Sequence, residues 1–150
     1  MLRCGVTAFA DMYYFEEDVA RAAADAGMRA VCGQTVLKFP TPDAQSFEES
    51  LALAREFIQR WKGHPLIVPS VSPHAPYTCT GEILRACAAL AVEFDIPLHT
   101  HLAETAAEVA RDKAQSCRAE LLQGPVFGGA SGGGRGAARG SVHGVSPSVD

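Results

Sequence analysis

Apolar and polar positions follow two alternating periods along the first 113 residues of the chain. Four short apolar runs are typical of strands and lie at 4–12, 28–33, 66–71 and 96–102. Four stretches carry apolar side chains at helical spacing and lie at 15–26, 47–61, 80–94 and 104–113. Because strand and helix alternate about every 30 residues, the pattern predicts βα units on a parallel sheet.

Four strands with nearly four helices amount to half of an eight-stranded (β/α)8 TIM barrel, so the predicted fold class is α/β with a partial barrel. The chain has 150 residues, 47% of them hydrophobic, which is enough for one core. A complete barrel needs roughly 250 residues. An open doubly wound sheet is the alternative, but it predicts a glycine-rich phosphate loop after the first strand, and residues 10–14 are not one.

The character of the chain changes after residue 113. Residues 114–150 hold 9 of the 14 glycines and show neither a helical nor a strand period. Such a composition buries too little apolar surface to offset the entropy of ordering, so we predict a partial barrel over 1–113 and a disordered tail over 114–150. One hypothesis for the tail is a translated frameshift in GC-rich DNA.

The charge, the apolar runs and the cysteines of the chain limit which partners and which cellular compartment we expect. The net charge of −4 offers no basic patch for phosphates, which argues against nucleic acid. No apolar run approaches the roughly 20 residues of a membrane span, and no signal peptide is visible at the start. The five cysteines form no C-x-x-C pair. We therefore expect a cytoplasmic protein with reduced thiols.

Two histidine motifs lie where predicted strands end. The run 99–104 reads His-Thr-His-Leu-Ala-Glu, and the run 72–77 reads Ser-Pro-His-Ala-Pro-Tyr. The first motif supplies imidazole nitrogens and a carboxylate within reach of one centre, as a metal-activated water requires. Two alternatives stay open: His99 and His101 as hydrogen-bonded core histidines, and His74 as an ordinary turn residue.

These motifs resemble the strand-4 and strand-5 signatures of the amidohydrolase superfamily, in the branch of methylthioadenosine/S-adenosylhomocysteine deaminases and chlorohydrolases. Residues 5–13 are similar to the strand-2 segment of that branch. The resemblance implies a (β/α)8 barrel that holds a divalent metal, usually zinc, which activates water. The resulting hydroxide attacks a carbon of a purine- or triazine-like ring and displaces ammonia or another leaving group.

The resemblance also assigns roles to individual residues. His101 resembles the strand-5 metal ligand, Glu104 resembles the acid that moves protons around the attacked ring nitrogen, and His74 resembles the histidine that contacts substrate. His99 would lie one layer deeper, as a supporting residue. The implied partner is a small heterocyclic substrate, and a homo-oligomer stays open for the full-length family member.

Departures from the family pattern bear on activity. The first-strand His-x-His pair of the family lies upstream of this sequence, and its strand-6 histidine and strand-8 aspartate should fall where the tail lies. We therefore expect about strands 2 to 5, an incomplete zinc site and an inactive fragment. Gln34 and Lys38 occupy the neighbourhood in which some adenosine-type deaminases place substrate arginines. A non-catalytic half-barrel and a small α/β binding domain without metal are the alternatives.

Overall fold

A computed structural model describes residues 1–115, so the predicted disorder of the tail lies almost wholly outside the described residues. The elements follow a short 3-10 turn at Leu2–Cys4 and are, in order, β1 Ala8–Tyr13, α1 Glu16–Asp25, β2 Arg29–Val36, α2 Phe47–Trp61, β3 Ile67–Pro69, β4 Ser72–Pro73, α3 Gly81–Phe94 and α4 Ala106–Gln115. Strand β2 pairs in parallel with β1, β3 and β4. The predicted α/β class with a parallel sheet is confirmed.

The strands and helices bury two apolar clusters that share α2. The first cluster joins α2 and α3 to the ends of β2 and of the 67–73 segment, and includes Val36, Ala54, Ile58, Val71 and Ile83. The second joins α1, α2 and the sheet, and includes Ala20, Cys32, Phe57 and Ile67. Because α2 contributes to both clusters, it holds the neighbouring βα units together as one layered body. Among residues 1–115, no helix has the length and apolarity to cross a membrane.

Local capping sets the helix starts. The Ser46 hydroxyl accepts the Glu49 N–H at 3.3 Å, and α2 covers the predicted 47–61. The Thr80 hydroxyl accepts the Ile83 N–H at 3.2 Å, which confirms the predicted N-cap of α3. Helix α4 begins at Ala106, two residues after its predicted start. The Thr105 hydroxyl accepts the Glu108 N–H at 3.1 Å and so caps the helix at this point.

The predicted strand over 96–102 is reduced to a single parallel bridge between Leu98 and Val71. In this bridge, the Val71 N–H donates to the Pro97 carbonyl at 3.0 Å and the His99 N–H donates to the Val71 carbonyl at 2.9 Å. The next rung of a parallel ladder needs an N–H at residue 73, and Pro73 has none. The His101 N–H bonds instead to the His74 carbonyl at 2.9 Å, one residue beyond the regular register.

Two further predicted strands are shorter than expected. The run 4–12 begins as a strand only at Ala8, because residues 2–4 form a 3-10 turn that ends at Gly5 with φ 78°. The run 66–71 pairs as a strand only over Ile67–Pro69. The apolar pattern alone does not show where these two strands begin and end, because turns and proline residues decide where strand pairing starts and stops.

Close packing at Gly33 fixes the path of the chain toward His74. A Cβ built on Gly33 would lie 1.9 Å from the Ser72 Oγ and 2.3 Å from the Ser70 Oγ. Both serines are buried. We expect Gly33→Ala to lower the free energy of unfolding by about 1–3 kcal/mol, measured by denaturant titration, because the new methyl overpacks this contact.

A double-variant comparison isolates the contact at Gly33. In a Ser72→Ala background, which removes the nearest oxygen, Gly33→Ala should cost less than in the wild-type background. Equal costs in the two backgrounds would show that the Ser72 hydroxyl is not what excludes a side chain at position 33.

Candidate active site

His74 lies immediately after β4, at the carboxyl end of the parallel strands. Its N–H donates to the Val36 carbonyl at 3.1 Å, which ties the residue to the end of β2. A turn follows in which the Thr78 and Cys79 N–H groups donate to the Ala75 carbonyl at 3.1 and 3.0 Å. The half-buried imidazole contacts the Thr78 hydroxyl through Nδ1 at 2.9 Å. Both the backbone and the ring of His74 are therefore held in place.

The segment that carries His99 and His101 runs beside His74. The bond from the His101 N–H to the His74 carbonyl joins the two motifs directly. The ring centroids of His74 and His101 are 5.2 Å apart, and those of His99 and His101 are 6.2 Å apart. The structure thus brings the three histidines of the two motifs into one cluster.

Glu104 lies on the exposed rim of this cluster. The Tyr77 hydroxyl donates to its Oε2 at 3.1 Å, and the Tyr77 ring lies 6.0 Å from that of His74. Ala103 adopts a left-handed φ of 56°, which turns the chain between His101 and Glu104. All three predicted site residues therefore lie close together, and Tyr77 connects the carboxylate to the His74 loop.

The sequence reading missed Glu108, a buried acid behind the rim. Its side chain is 2% exposed, and its Oε2 accepts the Glu104 N–H at 2.7 Å. The Thr105 hydroxyl accepts the Glu108 N–H at 3.1 Å, so the two side chains together bind backbone N–H groups at the start of α4. The spacing Thr105-x-x-Glu108 is the signal in the sequence that could have revealed it.

Electrostatics favour the neutral form of His74. Burial lowers the pKa of His74 below its ordinary value, and the neighbouring His101 lowers it further, while Glu104 and Glu108 act in the opposite direction. A neutral ring keeps one N–H donor and one acceptor lone pair. His74 can therefore form directed hydrogen bonds with a bound molecule.

The side chains of this cluster are of the kind that binds zinc, but they are not arranged so that three of them could bind one ion. Imidazole nitrogens are typical zinc ligands, and stable catalytic sites use at least three protein ligands. Within residues 1–115, no group of three or more His, Cys, Asp or Glu side chains could hold a metal ion. These residues alone therefore do not form the metal centre that the resemblance implies.

Asp43, a second residue missed from the sequence, fixes the loop after β2. Its carboxylate accepts the Phe15 N–H at 2.9 Å, the Gln34 amide at 2.8 Å and the Thr41 hydroxyl at 2.8 Å. Burial acts to raise the pKa of Asp43, but these hydrogen bonds hold it below its ordinary value. Gln34 is therefore committed to a structural contact.

Lys38 connects this loop to the His74 turn. Its N–H donates to the Thr78 carbonyl at 2.9 Å, and its ammonium donates to the Tyr77 carbonyl at 3.2 Å. The side chain is exposed near the rim. Of Gln34 and Lys38, Lys38 is thus the one that contacts the His74 turn.

Histidines and a carboxylate gathered at the carboxyl ends of parallel strands are typical of barrel enzymes, which keep their chemistry at this face. The sequence model of the amidohydrolase family matches residues 1–143, and the chain belongs to that family. This confirms the resemblance drawn from the two histidine motifs.

Individual relatives agree with this membership. The chain is 49% identical over 109 residues to a 5-methylthioadenosine/S-adenosylhomocysteine deaminase from Thermodesulfovibrio yellowstonii, a match that covers 73% of this chain and 25% of that protein. An adenosine deaminase from Xanthomonas campestris with bound zinc superposes with a TM-score of 0.76 at 37% identity, over 80% of this chain and 28% of that one.

A guanine deaminase from C. acetobutylicum with guanine in its active site shares the fold, with a TM-score of 0.70 at 20% identity over 85% of this chain and 32% of that one. The chain thus spans about a quarter of the length of the curated relatives it matches. The domain boundary near residue 113 stays a prediction.

Proposed function

We propose that this chain forms about strands 2 to 5 of the barrel of a metal-dependent aminohydrolase that cleaves a carbon–nitrogen bond of a purine-like ring. The observation that carries the proposal is the direct connection of the two histidine motifs. The His101 N–H bonds to the His74 carbonyl, and Tyr77 in the His74 loop bonds to Glu104. Family membership and the 49% identical deaminase relative support the reaction class.

Each site residue has a proposed role. His101 is a ligand of a divalent metal, proposed to be zinc because a 37% identical relative carries zinc, and the other ligands come from outside the described residues. When bound, such a metal activates water. Glu104 takes and returns a proton at the ring nitrogen of the substrate, which its exposed position on the rim allows. His74 contacts the substrate ring.

Among ring types, a purine has more support than a triazine. The T. yellowstonii and X. campestris relatives, at 49% and 37% identity, are named as deaminases of adenosine compounds. The triazine hydrolases among the solved structures are 16–18% identical, a level that supports the fold alone. We therefore propose an adenine nucleoside as substrate.

A chimaera tests the proposed function. The matching 109-residue stretch of the T. yellowstonii relative is replaced by the corresponding residues of this chain. Because the replaced stretch includes the proposed site residues, we expect the chimaera to bind zinc and to release ammonia from 5′-methylthioadenosine or adenosine. Ammonia release and metal content are the measurements.

The 150-residue chain alone is the matched control. With a single proposed metal ligand, it should hold less than one zinc per chain after dialysis and show no detectable deamination. A chimaera that folds and binds zinc yet leaves adenine nucleosides intact would contradict the proposed function, and turnover by the chain alone would contradict its proposed inactivity.

A further inference from the structure

The Thr78 hydroxyl lies between the Ala75 carbonyl, which can only accept, and the His74 Nδ1, which accepts or donates according to the tautomer of the ring. The hydroxyl Oγ lies 2.9 Å from the His74 Nδ1 and 3.1 Å from the Ala75 carbonyl oxygen. A hydroxyl has one proton, so it can donate fully to only one of them. Which of the two atoms receives the proton decides which nitrogen of His74 carries the hydrogen of the neutral ring.

The Ala75 carbonyl is already occupied. It accepts the Thr78 N–H at 3.1 Å and the Cys79 N–H at 3.0 Å, and a carbonyl oxygen has two lone pairs. The His74 Nδ1 is the nearer of the two atoms to which the hydroxyl can donate. A basic ring nitrogen with its lone pair available is the stronger acceptor of the two.

From this geometry we infer that Thr78 is a positioning residue that donates to Nδ1 of His74 and thereby fixes the neutral ring with its hydrogen on Nε2. His74 then offers a hydrogen-bond donor away from Thr78. The substrate atom that it meets must be an acceptor, such as a ring nitrogen with a lone pair or a carbonyl oxygen.

The inference about the substrate atom rests on the proposed function, but the state of the ring can be measured independently of it. The full 150-residue chain is labelled with 15N at histidine, and the His74 ring signals are assigned by their loss in His74→Gln. At a pH where the ring is neutral, we expect the hydrogen on Nε2 and an unprotonated Nδ1.

Two substitutions distinguish a hydrogen bond from simple packing. Thr78→Val keeps the shape and removes the hydroxyl, so the Nδ1 resonance should move downfield toward that of an unbonded ring nitrogen. Thr78→Ser keeps the hydroxyl and should leave the resonance close to the wild-type position. A hydrogen on Nδ1 in the wild-type chain, or an Nδ1 signal unmoved by Thr78→Val, would overturn the inference.

The chimaera provides a second readout. There, Thr78→Val should raise KM by roughly 2- to 10-fold with a smaller effect on kcat, and Thr78→Ser should restore the KM. An unchanged KM in Thr78→Val would overturn the positioning role. An inactive chimaera whose His74 shows the expected ring signals would refute the proposed function and leave the role of Thr78 standing.

Discussion

Replacing Glu104 by glutamine in the active chimaera is expected to lower kcat roughly 100- to 10,000-fold, because an amide cannot take up and return a proton. Glu104 is exposed and linked to the protein through the Tyr77 hydroxyl, so its replacement should leave the fold and the metal content unchanged. Steady-state kinetics and zinc analysis of the same preparation are the measurements.

Two control variants separate a loss of proton transfer at Glu104 from a general effect of charge removal and from a loss of zinc. Glu48→Gln makes the same chemical change at an exposed position of α2 and should keep full activity. His101→Ala should lose both zinc and activity, since it removes a proposed ligand. If Glu104→Gln retained kcat within a few-fold of the parent chimaera, the role of Glu104 in proton transfer would be wrong.

The second large effect concerns stability and comes from Glu16, whose side chain is 0% exposed. Burial and the charge of Asp11 raise its pKa from 4.5 to about 7, although the Tyr13 N–H bonds to its carboxylate at 2.9 Å. The folded state therefore holds this proton more tightly than the unfolded state. The stability from Glu16 is complete below pH 4.5 and is lost as the pH rises through 7.

Glu16→Gln should remove this pH dependence. Above pH 8 the variant should be more stable than the wild-type chain by at most about 3 kcal/mol, the equivalent of the raised pKa, and below pH 4.5 the two should be similar. Denaturant titrations at both ends of this range test it. A constant difference in the free energy of unfolding across the range would contradict the assignment.

Glu17 provides a control of opposite sign on the same helix. Partial burial acts to raise its pKa, but hydrogen bonds from Trp61, Arg60 and Arg21 hold the pKa below its ordinary value. Its contribution is present above the unfolded pKa and is lost as the pH falls, so Glu17→Gln should lose stability at neutral pH and not at low pH.

The elements that depend on local signals were predictable from the sequence. Helix α2 was placed at 47–61 because its apolar side chains recur at helical spacing within the helix itself. The strand at 96–102 could not be delimited in this way, since its pairing depends on the missing N–H of Pro73, a residue distant in sequence.

The same distinction holds for the site. His74, His101 and Glu104 could be singled out because each motif places its residues at the end of an apolar run. Asp43 was missed because its partner Phe15 is brought near only by the folded chain, whereas Glu108 has local partners and was missed although the Thr105-x-x-Glu108 spacing marks it. A sequence pattern therefore identifies the residues that line a site better than it identifies the residues that support them.

The change of register beside Pro73 amounts to a bulge, since the step of three positions from Val71 to His74 is matched by a step of two from His99 to His101. The extra residue sets the relative position of the two histidine motifs. An amino acid with an N–H at position 73 would permit a regular ladder, in which His101 would bond to residue 73 and not to His74. The alignment of the two histidine motifs thus depends on the absence of a backbone N–H at Pro73. Neither histidine alone indicates this dependence.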